Sequence, residues 1–381
     1  MLLFIFFLFS WVSGQILSFN LCCGIRTSLL DLSIVLLLVF LTNKKPRTRY
    51  LTIFNKRVGP FILVGIISLL LQLIRLPLGE VLVSILYLVR FVVYASLLVT
   101  LIPLKTSIKL LGLYIAGVSI GILGLLQYVL YPNLRNLVYL GWDPHEYRLF
   151  STLLDPNFAG ILLVLACFLG FHLFLIHQRR RWLIAAGLIV CFVALLLTYS
   201  RGSFVSFVLG LTIFMWLYRQ KKWVGLAVLL FFIGILFLPR PGGEGVNLLR
   251  VLSIQSRLQN SSEALQLFYR SPLFGWGFNT LRFIRNQQSD IDATLLHSAG
   301  GFHNSWLTLL VTTGIFGLST YVFIWIRLIK KTKPKNGYPS LLLVSLTAVF
   351  VHSLFDNSLF YPQVMAWVWV LASCLPVGDN R

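Results

Sequence analysis

The chain has 381 residues, of which 58% are hydrophobic and only 11% charged, and it carries a formal charge of +21. That mixture excludes a large soluble core and matches repeated bilayer crossings. The net charge could point to nucleic acid, but where the basic residues fall along the chain removes that reading.

A hydrocarbon core of roughly 30 Å takes about 20 apolar helical residues per crossing. In chain order the sequence offers about twelve such stretches: residues 2–20, 28–43, 58–75, 81–103, 110–131, 157–176, 182–199, 203–218, 223–238, 304–327, 340–356 and 361–377. With a cytoplasmic N-terminus, one set of alternate connections holds Lys44, Lys45, Arg47, Arg49, Lys56, Arg57, Lys105, Lys109 and Arg179 to Arg181. The same side continues with Arg219, Lys221, Lys222, Arg327, Lys330, Lys331, Lys333, Lys335 and Arg381. That is 20 of the 32 basic residues with Asp379 as the one acid. The pattern obeys the positive-inside rule, so both termini are expected in the cytoplasm and the excess charge has no need of nucleic acid.

The expected architecture is therefore all-α and polytopic: a single integral membrane domain over residues 1–381. Two outer connections are long, residues 132–156 and 239–303, and long connections carry function. The larger opens with Pro239-Arg240-Pro241-Gly242-Gly243 and becomes helix-compatible from Leu248 to Tyr269, apolar residues alternating with Arg250, Arg257 and Glu263. An amphipathic helix at the membrane surface fits that pattern. The turn-rich Ser271-Pro272-Leu273-Phe274-Gly275-Trp276-Gly277 follows. Cys22, Cys23, Cys167, Cys191 and Cys374 lack metal-ligand spacing and read as small apolar residues. The first stretch has no basic leader segment and reads as a retained helix.

Several residues could carry chemistry. Arg90 lies in the apolar run 85–99, roughly 15 Å from the outer end of its helix. It lines a lipid-phosphate or substrate cavity, snorkels toward the interface, or pairs with an acid on another helix. Arg201, in Thr198-Tyr199-Ser200-Arg201-Gly202-Ser203, falls at the outer boundary, where a guanidinium serves equally as an interfacial anchor or as a bidentate diphosphate ligand. Arg257 and Arg270, 13 residues apart, could hold the same kind of anion or attract lipid head groups. His303, before Asn304, could take a proton from an attacking hydroxyl or pack at the interface. Asn304 or Ser305 suits a helix cap. Asp155-Pro156-Asn157 reads as a turn and N-cap that could also shape the site, Asp356-Asn357 is similarly open, and His352 suits a local polar contact.

Taken in order, Arg148 with Ser151-Thr152 and Asp155-Pro156-Asn157, Tyr199-Ser200-Arg201-Gly202, Arg257, Pro272-Leu273-Phe274-Gly275-Trp276-Gly277, His303-Asn304 and Gly314-Ile315-Phe316-Gly317-Leu318 resemble the O-antigen ligase and polymerase superfamily. The resemblance covers roughly residues 145–330. It implies a GT-C-like membrane glycosyltransferase that takes a glycan from undecaprenyl diphosphate and passes it to a lipid or glycan acceptor, with no metal and no cofactor. By the same resemblance Arg201 and Arg257 hold the diphosphate and His303 serves the acceptor. Arg90, Arg148, Arg270, Asn157 and Asn304 are the further substrate-binding candidates. Many relatives carry a second histidine two positions before the His-Asn histidine, where this chain has Gly301; His297 is the residue that could replace it. The competing functions are a transporter of a small anionic solute, which Arg90 and many spans would suit, and a structural scaffold. The absence of paired half-repeats and the gathering of polar residues at the outer edge weigh against the transporter.

Overall fold

The computed structural model describes residues 1–20, 26–42, 47–177, 179–219, 221–239, 244–248, 252–286, 301–332 and 338–375. Its helices are α1 (Leu2–Ser13), α2 (Leu29–Thr42), α3 (Arg47–Leu70), α4 (Leu78–Ala95), α5 (Leu97–Thr100), α6 (Thr106–Leu130), α7 (Pro156–Ile176) and α8 (Arg181–Leu197). They continue with α9 (Arg201–Tyr218), α10 (Lys221–Leu236), α11 (Leu252–Arg270), α12 (Leu281–Asn286), α13 (Ser305–Lys330), α14 (Tyr338–Ser353) and α15 (Pro362–Ala372). The chain is a helical, multi-pass membrane protein. Among the described residues six helices are long and apolar enough to cross a bilayer: 54–74, 78–100, 106–130, 156–176, 201–218 and 305–330. Six shorter apolar helices of 10–17 residues stand at the other positions the sequence marks. A small hairpin of β1 (Ser18–Asn20) and β2 (Arg26–Ser28) is the one departure from an all-helical architecture among the described residues.

The first helix stops well short of residue 20. Gly14, at φ 59°, turns the chain beneath the 151–153 turn, where Gln15 N–H donates to the Thr152 carbonyl at 2.8 Å. A side chain at Gly14 would collide with that carbonyl. The helix α7 forms the centre of the bundle. It is apolar all round, as a helix surrounded by protein must be, and packs against α6, α8, α9 and α14. Asp155 caps it, accepting from the backbone N–H of Asn157 at 2.7 Å and Phe158 at 3.3 Å, with Pro156 in the first turn.

The helix α13 is broken inside its apolar run. Gly314 adopts φ 66° and ψ −169°, which no residue with a side chain takes up easily. The groups freed by the break bond to the Pro272–Gly277 turn: Ile315 N–H donates to the Pro272 carbonyl at 2.9 Å, and Trp276 N–H donates to the Val311 carbonyl at 2.9 Å. Ser68 Oγ of α3 donates to the Thr312 carbonyl at 3.0 Å. An interrupted helix is tolerable in a membrane protein when other protein groups satisfy its backbone, and this turn does so. The glycines of the two motifs thus have a structural reason. Gly275 sits against the Thr312 backbone and Gly314 against Leu273, so that neither has room for a Cβ.

Candidate active site

Residues 14–17, 71–77, 131–155, 198–200, 301–304 and 354–361 meet at one end of the bundle, and the candidate residues are built there. Arg148, although charged, is buried. Its Nε donates to the Thr198 carbonyl at 2.9 Å and its Nη2 to Asn157 Oδ1 at 3.3 Å. Asn157 Oδ1 also accepts from Ser200 Oγ at 3.0 Å, and Ser200 caps α9. Arg148, Asn157 and Ser200 therefore tie the starts of α7 and α9 together, and Arg201 is the first residue of the helix so fixed. The chain reaches that position through Tyr199, a non-glycine residue at φ 49°.

Arg201 Nη1 donates to the Leu248 carbonyl at 3.3 Å, which links α9 to the segment leading into α11. Arg257 of α11 lies near enough for the two guanidinium charges to repel each other. Two cations held together across separate elements make a local field that an anion would relieve. Among the described residues Arg257 has a countercharge in Asp356. Its Oδ2 lies 3.6 Å from Arg257 Nη2, and its Oδ1 lies 3.5 Å from His303 Nδ1. Both distances exceed those of a tight hydrogen bond, leaving the carboxylate in a loose, central position. Burial alone would raise the Asp356 carboxyl, but His303, His352 and Arg257 outweigh it and hold it below its usual range. Its neighbour Asp155 is pushed the other way, up to about 6, first by burial and then by the negative charge of Asp356.

Other contacts hold the 301–305 segment against this carboxylate. Asn304 caps α13, its Oδ1 accepting from the backbone N–H of Trp306 at 2.9 Å and Leu307 at 3.1 Å, so its amide oxygen is occupied by the helix. Ser305 Oγ donates to the Asp356 carbonyl at 3.0 Å and accepts from Leu359 N–H at 3.2 Å, which pins the chain on both sides of Asn357. Arg285 grips both oxygens of Glu263, at 2.8 and 2.9 Å, and donates to the Gly301 carbonyl at 3.2 Å. The His303 side chain remains 43% exposed, with Nδ1 toward Asp356 and Nε2 left for another partner.

Arg201, Arg257 and His303 are thus brought together from three separate segments. Arg90 is not with them: it bonds to Asp31 Oδ2 at 2.9 Å and to the Arg26 carbonyl at 2.5 Å, and Tyr94 completes the carboxylate at 3.0 Å. Of its sequence readings this geometry is that of an ion pair between helices. Arg270 is exposed at the last residue of α11, 13 residues or about 20 Å of helix from Arg257, too far to share one diphosphate with it. His297 lies outside the described residues. His352 makes a local contact, Nδ1 to Ser358 Oγ at 2.8 Å, which helps shape the turn that carries Asp356. Among the described residues no three of His, Cys, Asp and Glu converge as metal ligands.

Asp356 is the residue the sequence left open between a structural turn and a part of the site. Its signal was present: an acid directly after an apolar helix, in a chain with only 11 acidic residues. What no local pattern disclosed is that it would face both Arg257 and His303.

Residues 186–322 match a family model described as O-Antigen ligase. The matched stretch is similar to that family over 137 of the 381 residues. It runs from within α8 to within α13, so it contains Arg201, Arg257, the Pro272–Gly277 turn, His303 and Gly314. Arg148, Asn157 and Asp356 stand outside the matched stretch and fasten it to the rest of the bundle. The match supports a membrane protein of polysaccharide biosynthesis with O-antigen ligase or polymerase type function, a glycosyltransferase-like enzyme acting on a glycan or lipid-linked substrate. None of the curated proteins compared matches the chain.

Proposed function

We propose that the protein transfers a glycan from undecaprenyl diphosphate to a hydroxyl of a lipid or glycan acceptor, at the outer face of a bacterial inner membrane, with both termini in the cytoplasm. The observation that carries this reading is that Arg257 and His303 meet at Asp356, with Arg201 beside Arg257. In the proposed step the acceptor oxygen forms a bond to the anomeric carbon while the bond from that carbon to the diphosphate oxygen breaks. His303 takes the acceptor proton at Nε2, Asp356 orients the ring through Nδ1, and undecaprenyl diphosphate departs with its charge held by Arg201 and Arg257. One displacement inverts the anomeric centre.

A diphosphate is already a good leaving group, so fixed cations supply the stabilisation that a metal would otherwise bring. Turnover is accordingly expected to persist in chelator, and complete loss restored by manganese would refute that part. The deciding experiment is a transfer assay with purified protein and polyprenyl-diphosphate glycan. Wild-type turnover by both Arg201→Ala and His303→Ala would overturn the assignment. Gel analysis of the product separates ligation, a single product, from polymerisation, a ladder of lengthening chains.

A further inference from the structure

A second group of arginines gathers around one aromatic ring at the same end of the bundle. Tyr87 of α4 lies beside two guanidinium groups, the central carbons of Arg90 and Arg282 each 5.2 Å from its ring centre. Arg26 of β2 joins them, its carbonyl accepting from Arg90 and its guanidinium within electrostatic reach of Tyr87. Arg90 has its countercharge in Asp31 at 2.9 Å.

Arg282 is held differently. Its guanidinium is placed over the rings of Tyr87 and Phe283, the latter at 4.7 Å, while Nε and Nη2 are buried and have no hydrogen-bond partner among the described residues. Glu80 feels the Arg282 charge, yet its Oε2 is also buried and unbonded. A buried donor left open costs on the order of 1–3 kcal/mol, and more when charged, so two on one guanidinium favour a polar or anionic partner there. The Nε and Nη2 edge is one that meets a phosphate or carboxylate with two parallel hydrogen bonds.

We propose that this edge of Arg282 is an anion subsite that receives a phosphate or carboxylate group of the acceptor, separate from the diphosphate subsite at Arg201 and Arg257. The helix α12 argues for the acceptor. One turn after Arg282 on that helix, Arg285 holds the Gly301 carbonyl, two residues before His303. The same short helix therefore connects the open edge to the segment bearing the base that must meet the acceptor hydroxyl. Arg26, Glu80 and Tyr87 lie outside the matched residues 186–322, so the family match does not bear on them.

The assignment to an acceptor rests on glycan transfer as the reaction; the subsite itself does not. The test uses the full chain in nanodiscs of neutral lipid, with Arg282→Gln, Arg282→Lys and Glu80→Gln, and one acceptor in phosphorylated and dephosphorylated forms. Arg282→Gln is expected to raise the KM for the phosphorylated acceptor about tenfold or more and to abolish preference for it, with the donor KM unmoved. Arg282→Lys, which keeps the charge without the fork, should fall between and serves if the Gln variant fails to fold. Glu80→Gln should lower the same KM, whereas a merely structural pair would suffer from either change. An equal rise in donor KM, or an unchanged acceptor preference, overturns the proposal. Calorimetric titration with glucose 6-phosphate against glucose gives the second readout. Phosphosugar binding lost in Arg282→Gln, in a wild type that transfers nothing, would sink glycan transfer and leave the subsite standing. No phosphosugar binding by wild type removes the subsite, and displacement by phosphatidylglycerol would assign it to a lipid head group instead.

Discussion

His303 Nδ1 faces Asp356 Oδ1 across 3.5 Å, and the other oxygen of the same carboxylate faces Arg257 at 3.6 Å. One acid thus joins the proposed base to one of the proposed diphosphate ligands. Residues acting as a unit show losses that do not add. Asp356→Asn and His303→Ala are each expected to lower kcat by about 10² to 10⁴. The double variant should be no slower than the worse single one by more than a few-fold. Multiplicative losses in the transfer assay would show that the two act independently.

Arg201 and Arg257 are expected to act through fork geometry as well as charge. Lysine at either position keeps the charge but loses bidentate contact. Arg201→Lys and Arg257→Lys should each reduce kcat/KM for the donor by about tenfold or more, with alanine worse still, as single-turnover kinetics can measure.

Arg90 and Asp31 make a separable pair. Removing one partner leaves an uncompensated charge among the helices, at a cost of about 3–5 kcal/mol for a fully buried pair and less for this partly exposed one. Arg90→Met and Asp31→Asn should each lower the unfolding midpoint in detergent, and the double variant should recover most of the loss. Additive losses would contradict the pairing.

Asp155 sets the pH response of stability. Its folded value of about 6 lies above the ordinary 3.8, so the folded state binds the proton more tightly, and the stability this gives is full below 3.8 and is lost as pH rises from there through 6. Asparagine caps a helix as well as aspartate does. Asp155→Asn should therefore stabilise the protein at pH 7.5 by on the order of 1 kcal/mol, the gap closing as pH falls from 6 toward 4. Asp356, held low, acts in the opposite sense: its contribution is present at neutral pH and lost in strong acid as pH falls through its lowered value. A constant gap across that range would place the Asp155 charge elsewhere.

Gly314→Ala should be among the most damaging single substitutions. A Cβ there would overlap the Leu273 carbonyl, and φ 66° with ψ −169° is strained for any side chain. Loss of folded protein on size-exclusion chromatography is the expected outcome; a normal yield with unchanged melting would mean that the break can heal.

The apolar runs announced the helices because bilayer thickness imposes a length and a composition that can be read locally. Their ends were less legible. The early stop of α1 at Gly14 depends on Thr152, far away in sequence. Arg90 showed the same limit: the sequence marked it as a costly charge but could not choose between a cavity and a partner, and Asp31 on another helix decides the geometry. Arg201, Arg257 and His303 were legible as residue types suited to a diphosphate and a hydroxyl. The carboxylate between them was not, because pairings across elements leave no period or spacing in the chain. The open edge of Arg282 was missed for that reason too, since nothing near residue 282 indicates that Tyr87 and Glu80 will stand beside it.

The turn at Pro272–Gly277 and the break at Gly314 also set a rule about length. Two main-chain bonds in opposite directions, from Ile315 to Pro272 and from Trp276 to Val311, lock the two segments in one register, as adjacent strands would be locked. Inserting or deleting one residue between Ser271 and Gly277, or between Val311 and Phe316, would put a carbonyl where a donor is needed and fill the glycine gaps with side chains. Point changes can be absorbed along much of α11 and α13, but the number of residues through these two stretches cannot drift. His303 is kept at a fixed count from one of them and Arg257 from the other, so the site's dimensions are written in chain length as well as in residue identity.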